Sequence, residues 1–404
     1  MDYIERTLQG AVLRASSRFK AILVTGMRQV GKSTMLEAIG GDRTLVTLDH
    51  HRPLEIATGM REAFFEQYPA PVLIDEIQRA PGLFLEIKAL VDEKKTPGLV
   101  WLTGSQRFEL MKNVSESLSG RMATFELMPL SLYEIQRLGP KQLPYIPTGK
   151  LPQRTLERWD TDALWEVIWR GMWPEVHQDT PENRNLFFEG LLQTYLERDV
   201  RQTGVERLSS FRRFLVALAS RIGQELQITK AAGEAGIAPA TAREWLSVAE
   251  ASGIIYLLPP FFENVGKVLV KKPKLYFTDT GLAAWLCGIP SSEALRLQYN
   301  KGAFFENFAV IELLKSWAHN GRRADFYFYR DAQQNEIDLV IRDGITYHPV
   351  EIKTTEHPEP SMVRAFDCIR EKPSFRRGPG ALICLAKEPV FIRPDVIAHS
   401  IFDI

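Results

Sequence analysis

The strongest constraint in this chain is an apolar run, Ala21-Ile22-Leu23-Val24-Thr25, that leads directly into Gly26-Met27-Arg28-Gln29-Val30-Gly31-Lys32-Ser33 and then a helix-forming stretch ending at Ile39. Strand, G-x-x-x-x-G-K-[ST], helix is the context in which a glycine-rich loop wraps phosphate oxygens with its backbone N–H groups, aided by the N-terminus of the helix that follows. The pattern assigns the loop through Thr34 to phosphate binding. Lys32 is expected at the β- and γ-phosphates and Ser33 on Mg²⁺. Arg28 either contacts phosphate or points to solvent.

Around this loop, β-branched apolar runs alternate with amphipathic stretches up to about residue 127, which predicts a parallel sheet with helices on its faces. The expected strands are 21–25, 44–48, 71–75, 99–103 and 123–127. The third, PVLID, ends in Asp75 and is followed by Glu76. A carboxylate at that strand tip suits a Walker-B role beside Mg²⁺, with Glu76 as the base that polarises water. The bland reading of Glu76 is a cap on the next helix.

Composition sets the wider frame. At 404 residues the chain exceeds the roughly 250–300 residues at which a single core stops growing, so several folded units are expected. Lysine plus arginine equals aspartate plus glutamate at 50 each, so any nucleic-acid surface must be local. Three cysteines without C-x-x-C spacing suggest neither a disulfide framework nor a cysteine zinc site. The N-terminus lacks a signal-peptide core and no apolar run approaches the roughly 18 residues of a membrane span, so a cytoplasmic protein without a membrane partner is expected.

The segments GMRQVGKST, LIDEIQRAPGLF, LTGSQRFELMKNVSESLSGRM, TYLERDVRQ and KPKLYFTDTGL together resemble a prokaryotic AAA-type P-loop ATPase family joined to a C-terminal domain of unknown function. The resemblance implies ATP as the nucleotide and hydrolysis as the activity, carried by Lys32, Ser33, Asp75 and Glu76. The extra strand between the loop and VLIDE resembles the additional-strand, catalytic-glutamate branch of these proteins. By the same resemblance Ser105, with Thr103 beside it, stands where a polar sensor is found. Arg121 stands where an arginine finger reaches a neighbouring subunit, which implies a homo-oligomer; its alternative is an ordinary surface ion pair.

Further along, GPKQLPYIPTGKLPQ breaks the pattern. Trp165, Trp169 and Trp173 then recur at helical spacing, a stripe read as packing. Residues 228–258 read as two short helices with a turn at Gly236 and a start at Pro239, and the alternation after them as a hairpin: a winged helix in outline. Thr241, Arg243, Lys267, Lys271, Lys272 and Lys274 are the candidate DNA contacts. A packing or lid element is the equal alternative.

In the tail, Glu306 lies on a predicted helix, Asp338 ends an alternating strand, and Glu351-Ile352-Lys353 lies on the next. Period-two alternation puts Asp338, Glu351 and Lys353 on one face, where two acids could hold a second divalent metal, Glu306 complete its shell, and Lys353 activate water. The order resembles the PD-(D/E)XK nucleases, although the usual proline before the first acid is missing. Glu336 would share that face.

The expected organisation is therefore an α/β chain: an AAA-like P-loop domain over 1–138, a linker and helical segment over 139–204, a winged-helix-like domain over 205–295 and a restriction-endonuclease-like domain over 296–404. The expected function is an ATPase coupled to a C-terminal DNA-interacting, potentially DNA-cleaving module. The alternative is a nucleotide-dependent switch whose C-terminal half binds a protein partner without cleaving nucleic acid.

Overall fold

The computed structural model describes residues 2–105, 118–153, 156–178, 180–195, 200, 208–261, 272–369 and 375–404. Strands β1 (Ala21–Thr25), β2 (Thr44–Thr47), β3 (Val72–Asp75), β4 (Val100–Gly104) and β5 (Met122–Glu126) form one sheet in the order β2-β3-β4-β1-β5. Every pairing in it is parallel. β1 and β4 are buried at all positions, which is why both read as unbroken apolar runs. Period-two alternation divides β1 between two cores: Ala21 and Leu23 face one, Ile22 and Val24 the other. Parallel strands present their C-terminal ends along a single edge, and sites in such sheets form outside that edge. Thr25, Thr47, Asp75 and Gly104 all end there.

The middle region supplies helices Thr161–Arg170, Leu208–Ala219, Ile228–Ala235 and Pro239–Ala251. Asp160 caps the first by accepting from Ala163 N at 2.8 Å. Gly236, at φ 68°, turns the chain between the third and fourth in a left-handed conformation that glycine adopts without strain. Strands β6 (Ile255–Leu258) and β7 (Lys274–Phe277) then pair antiparallel. Trp165, Trp169 and Trp173 are all buried, as expected of packing residues, but the helix ends at Arg170 and Trp173 lies beyond it.

After the long helix Lys301–Ala318, strands β8 (Phe326–Arg330), β9 (Glu336–Asp343), β10 (Thr346–Ile352), β11 (Arg376–Arg377), β12 (Gly380–Cys384), β13 (Val390–Arg393) and β14 (Val396–Ser400) build a mixed sheet. Its path is β13-β14-β12-β10-β9-β8, with β11 added beside β10. One face of the five-stranded parallel sheet, the middle helices and the Lys301–Ala318 helix share a continuous apolar cluster. The regions are therefore packed into one another, and burial at their contacts ties them together. Among the described residues no helix is long and apolar enough to cross a membrane.

Candidate nucleotide site and the C-terminal acidic cluster

The loop between β1 and the Lys32–Ile39 helix is shaped by what its backbone must avoid. At Gly26, φ 148°, an added Cβ would lie 2.1 Å from the Leu127 carbonyl oxygen, so no side chain fits. Gly31, at φ 90°, starts the helix from a left-handed conformation. Lys32 is buried and its Nζ donates to the carbonyls of Gly26 at 3.0 Å and Met27 at 2.7 Å, folding the ammonium back over the loop. Gln29, at φ 60°, is the non-glycine in this loop held in the left-handed region.

Next to the loop, β3 delivers Asp75 to the sheet edge. Ser33 Oγ donates to Asp75 Oδ1 at 2.5 Å, Thr103 Oγ1 donates to the same oxygen, and Thr47 Oγ1 donates to Oδ2 at 3.3 Å. The Ser33 hydroxyl and the Asp75 carboxylate thus converge on one point, the donor set that suits Mg²⁺ beside a phosphate. Glu76 follows in a left-handed conformation, φ 59° and ψ 44°, which costs a non-glycine residue on the order of 1 kcal/mol or more. Its N–H donates to Thr103 Oγ1 at 3.1 Å, and its carboxylate accepts from Gln78 Nε2. Gln78 Nε2 also reaches Ser105 Oγ at 3.0 Å, and Ser105 Oγ lies 3.5 Å from Glu76 Oε2. The strand-end acids and the expected polar residues of β4 are therefore brought together. Thr103 bridges Asp75 and Glu76, while Ser105 reaches, of these two acids, Glu76. Gln78 and Thr47 were not foreseen; the place of Gln78 two residues past Glu76 was the signal available.

Arg121 pairs with Asp92 of its own chain at 2.5 Å, both side chains about two-fifths exposed. Arg28 has its carbonyl held by Trp173 Nε1 at 3.0 Å. Arg6, which nothing local marked, is buried; it donates to the carbonyls of Val30 at 2.6 Å and Met128 at 2.7 Å and pairs with Glu134 at 3.1 Å. Glu134 also accepts from the N–H groups of Thr7 and Ser131, each at 2.9 Å, and lies 3.3 Å from His319 Nδ1. Burial pushes this carboxyl up, but Arg6 and His319 outweigh it and hold the group well below the usual carboxylate range. Met128 N–H donates to His319 Nε2 at 3.2 Å, and the other ring nitrogen, Nδ1, faces Glu134. A continuous buried path thus runs from the loop carbonyl of Val30 to the residue that caps the Lys301–Ala318 helix.

The C-terminal acids also meet. Asp338 on β9 and Glu351 on β10 lie across adjacent strands, and Lys353 Nζ is 3.2 Å from Asp338 Oδ2 and paired with Glu351. Ile352 N–H donates to Asp338 Oδ2 at 3.0 Å. Burial and the Asp338 charge raise Glu351 to about 8 against the pull of Lys353; burial and Asp338 likewise raise Glu306 to about 7 against Lys274. The period-two expectation for these side chains is met. The expected metal shell is not: among the described residues no group of three histidine, cysteine, aspartate or glutamate side chains is placed to hold a metal ion. Lys274 requires a second correction. As a DNA contact it would be exposed, yet it is buried, because it opens β7 pointing into the acids rather than lying on the basic edge. Arg243 and Lys272 are exposed and Thr241 is half-buried, whereas Lys267 and Lys271 lie outside the described residues.

Sheet order, loop and paired acids define an AAA-type P-loop ATPase domain, and residues 18–136 match the family model described as an AAA domain. Residues 161–293 and 301–401 match two domains of unknown function, DUF8612 and DUF4143. The chain belongs to the family of two mycobacterial proteins, Rv2008c of Mycobacterium tuberculosis and Mb2031c of Mycobacterium bovis. It is 30% identical to each over 359 residues, covering 88% of this chain and 75% of the relative. Among solved structures it is similar to the Walker-type ATPase PABY2304 of Pyrococcus abyssi, with 16% identity and a TM-score of 0.45 over 70% of this chain and 96% of that one. It is also similar to the STAND protein PH0952 of Pyrococcus horikoshii, with 10% identity and a TM-score of 0.27 over 78% and 47% of the two chains.

Proposed function

We propose that this chain hydrolyses ATP and that its middle and C-terminal regions read the nucleotide state of the loop as a switch. Two loop carbonyls, those of Arg28 and Val30, are held from outside the loop by Trp173 and Arg6, and this observation carries the reading. Ser33 and Asp75 are the residues that would hold Mg²⁺, which neutralises phosphate charge when bound. Lys32 exchanges the Gly26 and Met27 carbonyls for phosphate oxygens. Glu76, oriented by Gln78 and Ser105, takes the proton of the attacking water. A loop that changes shape around phosphate then pulls on Trp173 and on the Arg6–Glu134–His319 path.

The deciding experiment is Glu76→Gln assayed for turnover and for binding of a fluorescent ATP analogue. Turnover is expected to fall about 10²- to 10⁴-fold while affinity stays within a few-fold. Unchanged turnover overturns the assignment.

The expectation of a DNA-coupled, potentially cleaving C-terminal module keeps Arg243 and Lys272, which are exposed, among its described candidate contacts. It requires DNA to stimulate turnover or to shift in a gel. The withdrawal of Lys274 from that set favours the protein-partner reading of the switch. A homo-oligomer in which Arg121 leaves Asp92 for a neighbour's nucleotide predicts that Arg121→Ala is rescued by mixing with Lys32→Ala; no rescue removes that role.

A further inference from the structure

Lys274 is the first residue of β7, and its side chain is 4% exposed. Its Nζ lies 2.6 Å from Glu336 Oε1, 3.0 Å from Glu306 Oε1 and 3.5 Å from Asp338 Oδ1. Three carboxylates from two separate elements, the Lys301–Ala318 helix and β9, converge on it. Tyr276, two residues along the same strand, donates from its hydroxyl to the same Glu306 oxygen at 2.6 Å. The far side of Asp338 is closed by the Ile352 N–H and the Lys353 ammonium.

A divalent cation needs these oxygens at about 2.0–2.6 Å around a shared centre. The position shared by Glu306, Glu336 and Asp338 is the one the ammonium fills. Burying these carboxylates ionised and without a partner is costly, and the chain itself supplies an ammonium that offsets that cost.

We propose that the Lys274 ammonium is the resident cation of this cluster and that it locks the paired strands β6 and β7 to the C-terminal sheet. The acids therefore serve as an interlock between the middle and C-terminal regions. The lock fixes strand β7, whose Phe277 N–H and carbonyl are further clamped by the Asn307 side chain, each at 2.7 Å. The inference stands apart from the ATPase reading, since none of these residues touches the nucleotide loop.

The test uses the full chain without nucleotide, Mn²⁺ as the probe, and thermal unfolding with Mn²⁺ uptake as readouts. Wild-type protein is expected to take up no Mn²⁺ that Asp338→Asn removes. Lys274→Met is expected to lower Tm on the order of 10 °C, because it strands buried carboxylates. Adding Glu306→Gln and Asp338→Asn to Lys274→Met is expected to recover most of that loss, because the stranded charges go with the lysine. Mn²⁺ uptake by the wild type that Asp338→Asn abolishes overturns the proposal, as does a Lys274→Met protein of unchanged Tm. Should Lys274→Met fail to fold, the triple variant decides: a folded triple variant supports the lock, and one as unstable as the single change overturns it.

Discussion

Asp75 and Asp338 both lie on buried strands and both sit beside a second acid, yet their surroundings differ in kind. Around Asp75 stand three hydroxyls, from Ser33, Thr47 and Thr103. Around Asp338 stand two ammonium groups, from Lys274 and Lys353, and a backbone N–H. Hydroxyls orient a carboxylate without cancelling its charge, which leaves it able to hold a cation that arrives with phosphate. Ammonium groups cancel the charge in place and turn the same side chain into a structural tie. The partners of a carboxylate, more than its place on a strand, decide whether it does chemistry or holds regions together.

The sharpest way to break this comparison is to neutralise both acids with the same substitution. Asp75→Asn is expected to lower ATP turnover about 10²- to 10³-fold with little change in Tm, whereas Asp338→Asn should lower Tm and leave turnover per folded molecule within a few-fold. Parallel steady-state assays and thermal scans check both, and a turnover collapse in Asp338→Asn would erase the distinction.

Glu134 tests whether a third buried carboxylate, ringed by Arg6, His319 and two backbone N–H groups, belongs with the structural kind. Glu134→Gln is expected to destabilise the chain by about 3 kcal/mol, measured by denaturant unfolding, because Arg6 is left buried without its partner. The folded-state carboxyl is depressed below its ordinary 4.5, so its contribution is complete above that pH and is lost as pH falls further. The variant should accordingly flatten the acid limb of the stability curve, and an unaltered limb would reassign it.

Trp173→Phe keeps an aromatic ring, though a smaller one than the buried indole, and deletes the bond to the Arg28 carbonyl. A change in ATP affinity of about 2- to 10-fold, read by titration, corresponds to one ordinary hydrogen bond. No change would mean that the loop does not feel the middle region through this contact. Arg121→Ala removes a solvent-exposed pair and is expected to leave the midpoint of denaturant unfolding essentially unchanged.

Much of the nucleotide site was legible because its requirements are local. Gly26 cannot carry a side chain, Gly31 takes a positive φ, and Lys32 and Ser33 follow them in one contiguous motif. Asp75 and Glu76 were legible because an apolar strand that stops at an acid marks a sheet edge. The pairing of Asp338, Glu351 and Lys353 followed from pleat alternation alone. Arg6 was not legible, since its partners Val30 and Met128 lie 24 and 122 positions away and no periodicity connects them. Gln78 and Thr47 were passed over for a similar reason: their polar groups matter only through neighbours on other strands.

Lys274 shows the limit most clearly. In sequence it extends a basic run with Lys271 and Lys272, and charge alone argued for an exposed edge. Only the docking of β7 against the Lys301–Ala318 helix and β9 turned it inward, where three carboxylates from distant positions wait for a cation. The sequence by itself determined the P-loop fold, its phosphate-binding loop and the acid at the sheet edge, because backbone sterics and strand period are properties of neighbouring residues. The tertiary structure decided which carboxylates are ringed by hydroxyls and which by ammonium groups, because a buried charge is settled by whichever partners the packing of separate elements brings within about 3 Å.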